Sequence, residues 1–160
     1  MIVRTPPTDD RRLRVVSHSD VAKLSAEEAR IVDDALMRFN SSVVPFTQSE
    51  PFVRLQYGIR ADSGRLIAGI TAVLYCWQIL YIDALWVDER HRHKGLGATL
   101  VRRLEEEAQN CGGTLCHLDT FDFQGRSFYE KLGYEVFGVL DECPPGHTRY
   151  FLKKTLRLVR

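Results

Sequence analysis

Five consecutive residues, Arg90-His91-Arg92-His93-Lys94, are basic or titrate near neutrality, and they lead straight into Gly95-Leu96-Gly97. The segment joins a strand-forming run, Leu80 to Val87, to the clearest helical pattern in the chain, Gly97 to Asn110. The free N–H groups and positive dipole end of a helix start favour an anion. Glycine lets backbone come close to a ligand and take unusual dihedrals. Strand, basic turn, glycine pair and helix together describe an oxyanion cradle. The GxxxxGK[ST] phosphate loop is absent, because Gly95 and Gly97 stand too close together. The GxGxxG dinucleotide pattern fails at Leu100. Alone, then, the turn supports a generic anion site.

Two further residues have chemistry to offer. Tyr129 is a phenol, neutral at pH 7 and able to donate a hydrogen bond to developing charge; the plainer reading is an aromatic packing beside Phe128. Asp83 interrupts an apolar run, where a carboxylate needs a partner or a wet cleft. Period-two alternation puts it on the same strand face as Leu85 and Val87.

The elements that must position these residues follow from patterning. Residues 1–11 read as a loose leader, and Arg12 to Ser17 as a first strand. Ser25 with Glu28 has capping-box spacing, and Val32, Ala35, Leu36 and Phe39 form a helical stripe ending near Asn40. Phe52 to Arg60, Arg65 to Trp77 and Leu80 to Val87 read as an antiparallel meander, with Asp62-Ser63-Gly64 as a hairpin turn. After the Gly97 helix, Gly112 supplies a helix stop. Thr114 to Asp119 is a buried strand, Gly125 to Leu132 a short helix, and Tyr134 to Leu140 and His147 to Leu156 the last two strands. A helical crossover is long enough to make Leu80–Val87 and Thr114–Asp119 parallel. The fold class is therefore α/β, a mixed sheet with one parallel junction inside an antiparallel meander.

Composition restricts the function classes. The chain has 160 residues, 44% hydrophobic and 27% charged, which suits one globular domain spanning 1–160. A net charge of +1 gives no global argument for nucleic acid or an anionic membrane. No apolar run approaches the ~20 residues of a membrane span, and the first residues lack the apolar stretch of a secretory signal. The default expectation is cytoplasmic. Cys76, Cys111, Cys116 and Cys143 form no CxxC pair, and His91 and His93 have no evident third ligand, so free thiols and no metal are expected.

Arg92-His93-Lys94-Gly95-Leu96-Gly97 matches the R/Q-x-x-G-x-G/A signature, and Phe128-Tyr129-Glu130-Lys131-Leu132-Gly133-Tyr134 resembles the second hallmark, of the GNAT N-acetyltransferase superfamily. The resemblance covers roughly Ile67 to Leu156. Tyr81 to Glu89 and Pro144-Pro145-Gly146-His147 look like a group of small bacterial acetyltransferases. The resemblance implies a mostly antiparallel sheet of six to seven strands with a central parallel splay, flanked by about four helices. It implies acetyl-CoA as co-substrate and no metal. The pantetheine arm would pair with Leu85 and Val87, with Trp86 between them. The pyrophosphate would sit on the amides of His93, Lys94, Gly95, Leu96, Gly97 and Ala98, beside Arg92. Tyr129 matches the general acid on the CoA sulfur. Asp83 is the first candidate for deprotonating the amine, with ammonium binding as its alternative role, and His117 and Asp119 are in reserve. Where the family often has Asn, seven residues before the tyrosine, this chain has Asp122, so Gln124 is expected to take over that cofactor contact.

The acceptor expected is a small-molecule amine or a peptide N-terminus, with no nucleic acid and no membrane. Val32 to Phe52 and the 141–149 turn are the regions expected to choose it. Many relatives form dimers through their last strands, and Tyr150 to Leu156 would be that strand in a homodimer. A catalytically silent CoA-binding module is the competing class, and an RNA-binding module using residues 90–94 is a third.

Overall fold

A computed structural model describes residues 21–156. The chain divides into two compact units, one reaching Pro45 and one starting at Phe46. The first contains helix α1, Ala26–Val43, opened by the expected capping box. The Ser25 amide donates to Glu28 Oε2 (2.7 Å), and the Glu28 amide donates to Ser25 Oγ (3.2 Å). The helix continues past Asn40 because Ser41 and Ser42 turn their hydroxyls back to the carbonyls of Arg38 and Phe39, a bond compatible with helix. The strand expected at 12–17 lies outside the described residues.

The second unit is a six-stranded sheet: β1 Phe52–Arg60, β2 Leu66–Tyr75, β3 Ile79–Val87, β4 Leu115–Phe121, β5 Glu135–Leu140 and β6 Arg149–Thr155. The strand order is β1-β2-β3-β4-β6-β5, and only β3 and β4 run parallel. Helix α2, Leu96–Asn110, makes the crossover between them, and helix α3, Arg126–Lys131, follows β4. About four helices were expected; the described residues have three α-helices and one 3-10 turn, Glu89–His91. β6 is paired on both sides, so the expected dimer strand has no free edge; on this side of the sheet the edge belongs to β5.

One face of the sheet is covered. Ile70, Ala72, Leu80, Ile82, Cys116, Leu118 and Leu152 form a buried cluster with Leu100, Val101, Leu104 and Ala108 of α2. The α2 residues recur at helical spacing, which is why a charged helix still buries one side. Glu105 is buried on that side without being orphaned: it accepts from Tyr134 Oη (2.8 Å) and Lys154 Nζ (2.7 Å), tying α2 to β6. At the end of α2, Gly113 is held so closely that an added Cβ would lie 2.8 Å from the carbonyl oxygens of both Ala108 and Gln78.

Candidate active site

The parallel ladder is short. β3 and β4 pair only from Ile79/Leu115 to Ile82/Leu118, and beyond that step they part. Each then keeps only its outer partner, β3 with β2 as far as Val87 and β4 with β6 as far as Arg149. The result is a fork in the middle of the sheet. The Asp88 amide donates to the Ile67 carbonyl on β2 (2.8 Å). By strand alternation the polar backbone groups of Leu85 and Val87 then point the other way, into the fork. Arg92 Nε already reaches the Val87 carbonyl from that side (3.3 Å).

Asp83 sits where β3 leaves β4, and the alternation argument for it does not survive. Thr71 faces Ala84 and Ala72 faces Ile82, which makes Asp83 the surplus residue of a β-bulge. Leu80 and Ile82 face the core before the bulge, and Leu85 and Val87 are the inward residues after it. Asp83 is exposed rather than sharing that inward face. It makes no hydrogen bond or ion pair with another described residue, but its charge helps to raise the pKa of Tyr81.

The basic turn is built as a cradle. Asp88 caps the 3-10 turn, accepting from the Arg90 amide (3.1 Å) and bonding His91 Nδ1 (3.0 Å), and its other oxygen accepts from Arg65 Nη1 (2.8 Å). Those partners, Arg65 first and His91 next, hold the Asp88 carboxyl well below the usual carboxylate range. His93 (φ 61°) and Gly95 (φ 81°) both take left-handed backbone, and Gly95 caps α2 without a side-chain acceptor. The amides of residues 93–98 consequently donate to no other described residue. Gly97 is closed in from below: an added Cβ would lie 3.3 Å from Phe128 Cζ and 3.5 Å from Leu85 Cδ2. Asp88 acts on the cradle only through the turn, and sequence reasoning missed it, although Asp two residues before a bonded amide is a recognisable turn signal. Asp88→Ala is expected to lower kcat/KM for acetyl-CoA by roughly 10- to 100-fold by letting that turn relax, as initial-rate kinetics at varied acetyl-CoA would read.

Tyr129 lies one residue along α3 from Phe128, the rings meeting edge to face at 5.0 Å. It is buried, with the ring against Tyr134 as well (5.7 Å), yet its hydroxyl makes no hydrogen bond with another described residue. Burial, reinforced by the nearby Cys116 and Asp119, pushes its pKa up to about 12, so the phenol keeps its proton. Gln124 is partly engaged within the chain. Its side-chain carbonyl accepts from Thr120 Oγ1 (3.2 Å) and the Phe121 amide (3.0 Å), which shapes the turn into α3. Asp122 is turned to His147 Nδ1 (3.1 Å).

The face opposite α2 carries a network that the sequence did not announce. Tyr81 Oη donates to Asp119 Oδ1 (2.8 Å), and Arg149 Nε donates to Asp119 Oδ2 (2.7 Å). Tyr75 Oη lies 2.9 Å from His117 Nε2. Trp86 is exposed, between the residues that line the fork. A concavity of about 390 Å³ between α2 and the end of α3, lined by Arg102, Glu105, Lys131 and Lys154 among others, contains neither Tyr129 nor the cradle.

Comparison with known proteins bears on this arrangement directly. The model of the acetyltransferase (GNAT) family matches residues 26–134, which include the cradle, the fork and Tyr129. The chain belongs to the GNAT acetyltransferase family. It is 36% identical over 96 residues to the blasticidin-S acetyltransferase of Streptomyces morookaense, covering 59% of this chain and 70% of that protein. The crystal structure of an acetyltransferase from Bacillus cereus superposes with a TM-score of 0.79 at 32% identity, covering 85% of this chain and 96% of that one. An aminoglycoside 6'-N-acetyltransferase solved with coenzyme A shares the GNAT fold, with a TM-score of 0.59 at 20% identity and coverage of 85% and 97%. The GNAT architecture thus accounts for the six-stranded, mostly antiparallel sheet with its one parallel pair. Among the described residues no group of three or more His, Cys, Asp or Glu is placed to hold a metal ion, and no helix is long and apolar enough to cross a membrane.

Proposed function

We propose that this chain is an N-acetyltransferase that moves the acetyl group of acetyl-CoA to a primary amine by direct attack in the fork between β3 and β4. The observation that carries the reading is the convergence of unspent donors at one end of the sheet: free amides at 93–98, inward-pointing backbone at Leu85 and Val87, and the unpartnered Tyr129 hydroxyl. Residues 93–98 and Arg92 would hold the pyrophosphate, and Leu85 and Val87 would pair with the pantetheine amides as an added strand does. Gln124, its carbonyl committed to the turn, would meet the cofactor only through its amide NH₂.

Acetyl-CoA supplies the acetyl thioester. The amine nitrogen bonds to the carbonyl carbon, the C–S bond breaks, and Tyr129 gives its proton to the departing sulfur. A covalent acetyl-cysteine route is disfavoured here. Cys116 is buried, and that burial pushes its pKa up to about 12 even though the nearby Tyr134 hydroxyl (3.1 Å) works the other way, so little thiolate is present. Asp83, exposed at the bulge and without an ion-pair partner among the described residues, is the carboxylate that the acceptor's ammonium meets. Asp83→Asn is expected to raise KM for a cationic amine about tenfold with a smaller change in kcat. If Asp83 were itself the base, kcat would carry the loss.

The reading is tested by thiol release from acetyl-CoA across a panel of amines: polyamines, amino sugars, peptide N-termini and blasticidin S, the last because a relative is named for it. Amine-dependent release is expected. CoA binding by calorimetry with no release from any amine would instead favour a silent binding module. The acceptor class expected is a small-molecule amine or a peptide N-terminus, acted on in the cytoplasm.

A further inference from the structure

We propose that His117 takes the proton that the acceptor amine must shed, accepting it on Nδ1 while Nε2 is held by Tyr75. The inference rests on the acetyl-transfer reading above and deepens it.

Proton accounting sets the need. An alkylammonium brings three protons on nitrogen. One stays on the product amide, one ends on the CoA sulfur by way of Tyr129, and one has to leave. Tyr129 belongs to the core side with α3, so the departing proton calls for a second group on the amine's side of the carbonyl. Four titratable groups on the open face adjoin the fork: Asp83, Tyr81, Asp119 and His117.

Two of these are engaged within the chain, and the third, Asp83, is the one the reading above gives to the ammonium. Both Asp119 oxygens accept charge-assisted or phenolic hydrogen bonds, from Arg149 and Tyr81. Its oxygens are thus already engaged within the chain. Tyr81 keeps its own proton, its pKa pushed up to about 12 by burial and by the bond to Asp119. Asp83 stands outside the ladder on the bulge, exposed to water.

His117 differs from all three. It occupies the parallel ladder opposite Tyr81, one step before the strands part, and is only partly exposed. Its ring lies against Tyr81 (5.0 Å between centroids) and meets Tyr75 edge to face (5.8 Å). The bond to Tyr75 Oη (2.9 Å) engages Nε2 and leaves Nδ1 without a bond to another described residue; in the tautomer with hydrogen on Nε2, which donates to Tyr75, the lone pair is on Nδ1. The groups around it are Tyr75 from β2, Tyr81 opposite it on β3, Lys153 opposite it on β6 and Asp119 two residues along its own strand; Asp83 lies two residues beyond Tyr81, and Arg149 of β6 bonds Asp119. Arg149 is paired with Asp119, and Lys153 with Glu135 (3.4 Å). Burial lowers the His117 pKa and Asp119 only partly restores it, so the imidazole stands neutral at pH 7 and free to accept. The same burial makes a docked ammonium readier to release its proton. In the step, an ammonium N–H bond breaks as the Nδ1–H bond forms. The freed lone pair attacks the thioester carbon, and the imidazolium then passes its proton to water.

The test uses the full chain with acetyl-CoA and the amine panel named above. His117→Ala is expected to reduce kcat roughly 10²- to 10⁴-fold, with CoA affinity by calorimetry unchanged. The acid limb of wild-type kcat/KM, expected below pH 6.5, disappears in the variant, and added imidazole restores part of the rate. His117→Gln keeps a hydrogen-bonding side chain but cannot take the proton, and is expected to be as slow, which separates chemistry from folding. A variant with wild-type kcat, or one that is slow with the acid limb intact and no imidazole rescue, would overturn the proposal. CoA binding by the wild-type chain without transfer to any amine overturns the acetyl-transfer reading and this inference with it.

Discussion

Tyr129→Phe is expected to lower kcat by roughly 10²- to 10⁴-fold while leaving CoA binding nearly unchanged. The substitution removes one oxygen. That oxygen makes no hydrogen bond with another described residue, so no partner is orphaned and the ring contacts with Phe128 and Tyr134 are kept. On the proposed mechanism, what is lost is the donor to the sulfur as it gains charge, an interaction stronger in the transition state than in the ground state, so kcat and not KM would carry the change. The wild-type pH profile has a matching sign. The acid proposed at Tyr129 would act in its protonated form, and burial raises its pKa to about 12. Activity is therefore not expected to fall through loss of this proton until pH approaches that value. Steady-state kinetics of both proteins across pH 6 to 10, with calorimetry for CoA, checks both statements.

The second large effect is expected at Gly97. Alanine there would bring a Cβ to 3.3 Å from Phe128 Cζ, which must give by a few tenths of an ångström, and into ordinary contact with Leu85 Cδ2 at 3.5 Å. Leucine has no such escape. It would drive Phe128 outward, and Phe128 stands next to Tyr129, so one substitution would disturb the proposed phosphate cradle and the proposed acid together. An overpacked site of this kind costs about 1–3 kcal/mol in stability. Gly97→Leu is expected to abolish measurable CoA binding, and Gly97→Ala to weaken it about tenfold, by calorimetry and thermal shift with CoA. Binding as tight as wild type in the leucine variant would place the pyrophosphate elsewhere.

The parts of this site that were legible in the sequence are local ones. A glycine pair after a basic run, a capping serine with a glutamate three residues on, and helical spacing in α2 each act over one or two turns of chain, so residue type suffices to read them. The phenol at 129 was legible only through its likeness to a family motif. The bulge at Asp83 was not, because a bulge is a property of two strands and nothing in Tyr81 to Val87 says that Thr71 will face Ala84. Period-two reasoning therefore placed Asp83 on the wrong face. The Tyr75–His117 and Asp119–Arg149 bonds join residues 42 and 30 apart in the chain, and no spacing rule reaches that far. Gln124 shows the converse. Its side-chain carbonyl, so near a tight turn, bonds the Phe121 amide, a use its residue type did not announce.

The most direct measurement is a crystal structure of the chain with coenzyme A. The account requires the pyrophosphate on the amides of residues 93–98, the pantetheine beside Leu85 and Val87, and the sulfur within hydrogen-bonding reach of Tyr129 Oη in the fork between β3 and β4. A bound cofactor whose sulfur lies outside that fork, or whose phosphates avoid the start of α2, would contradict it.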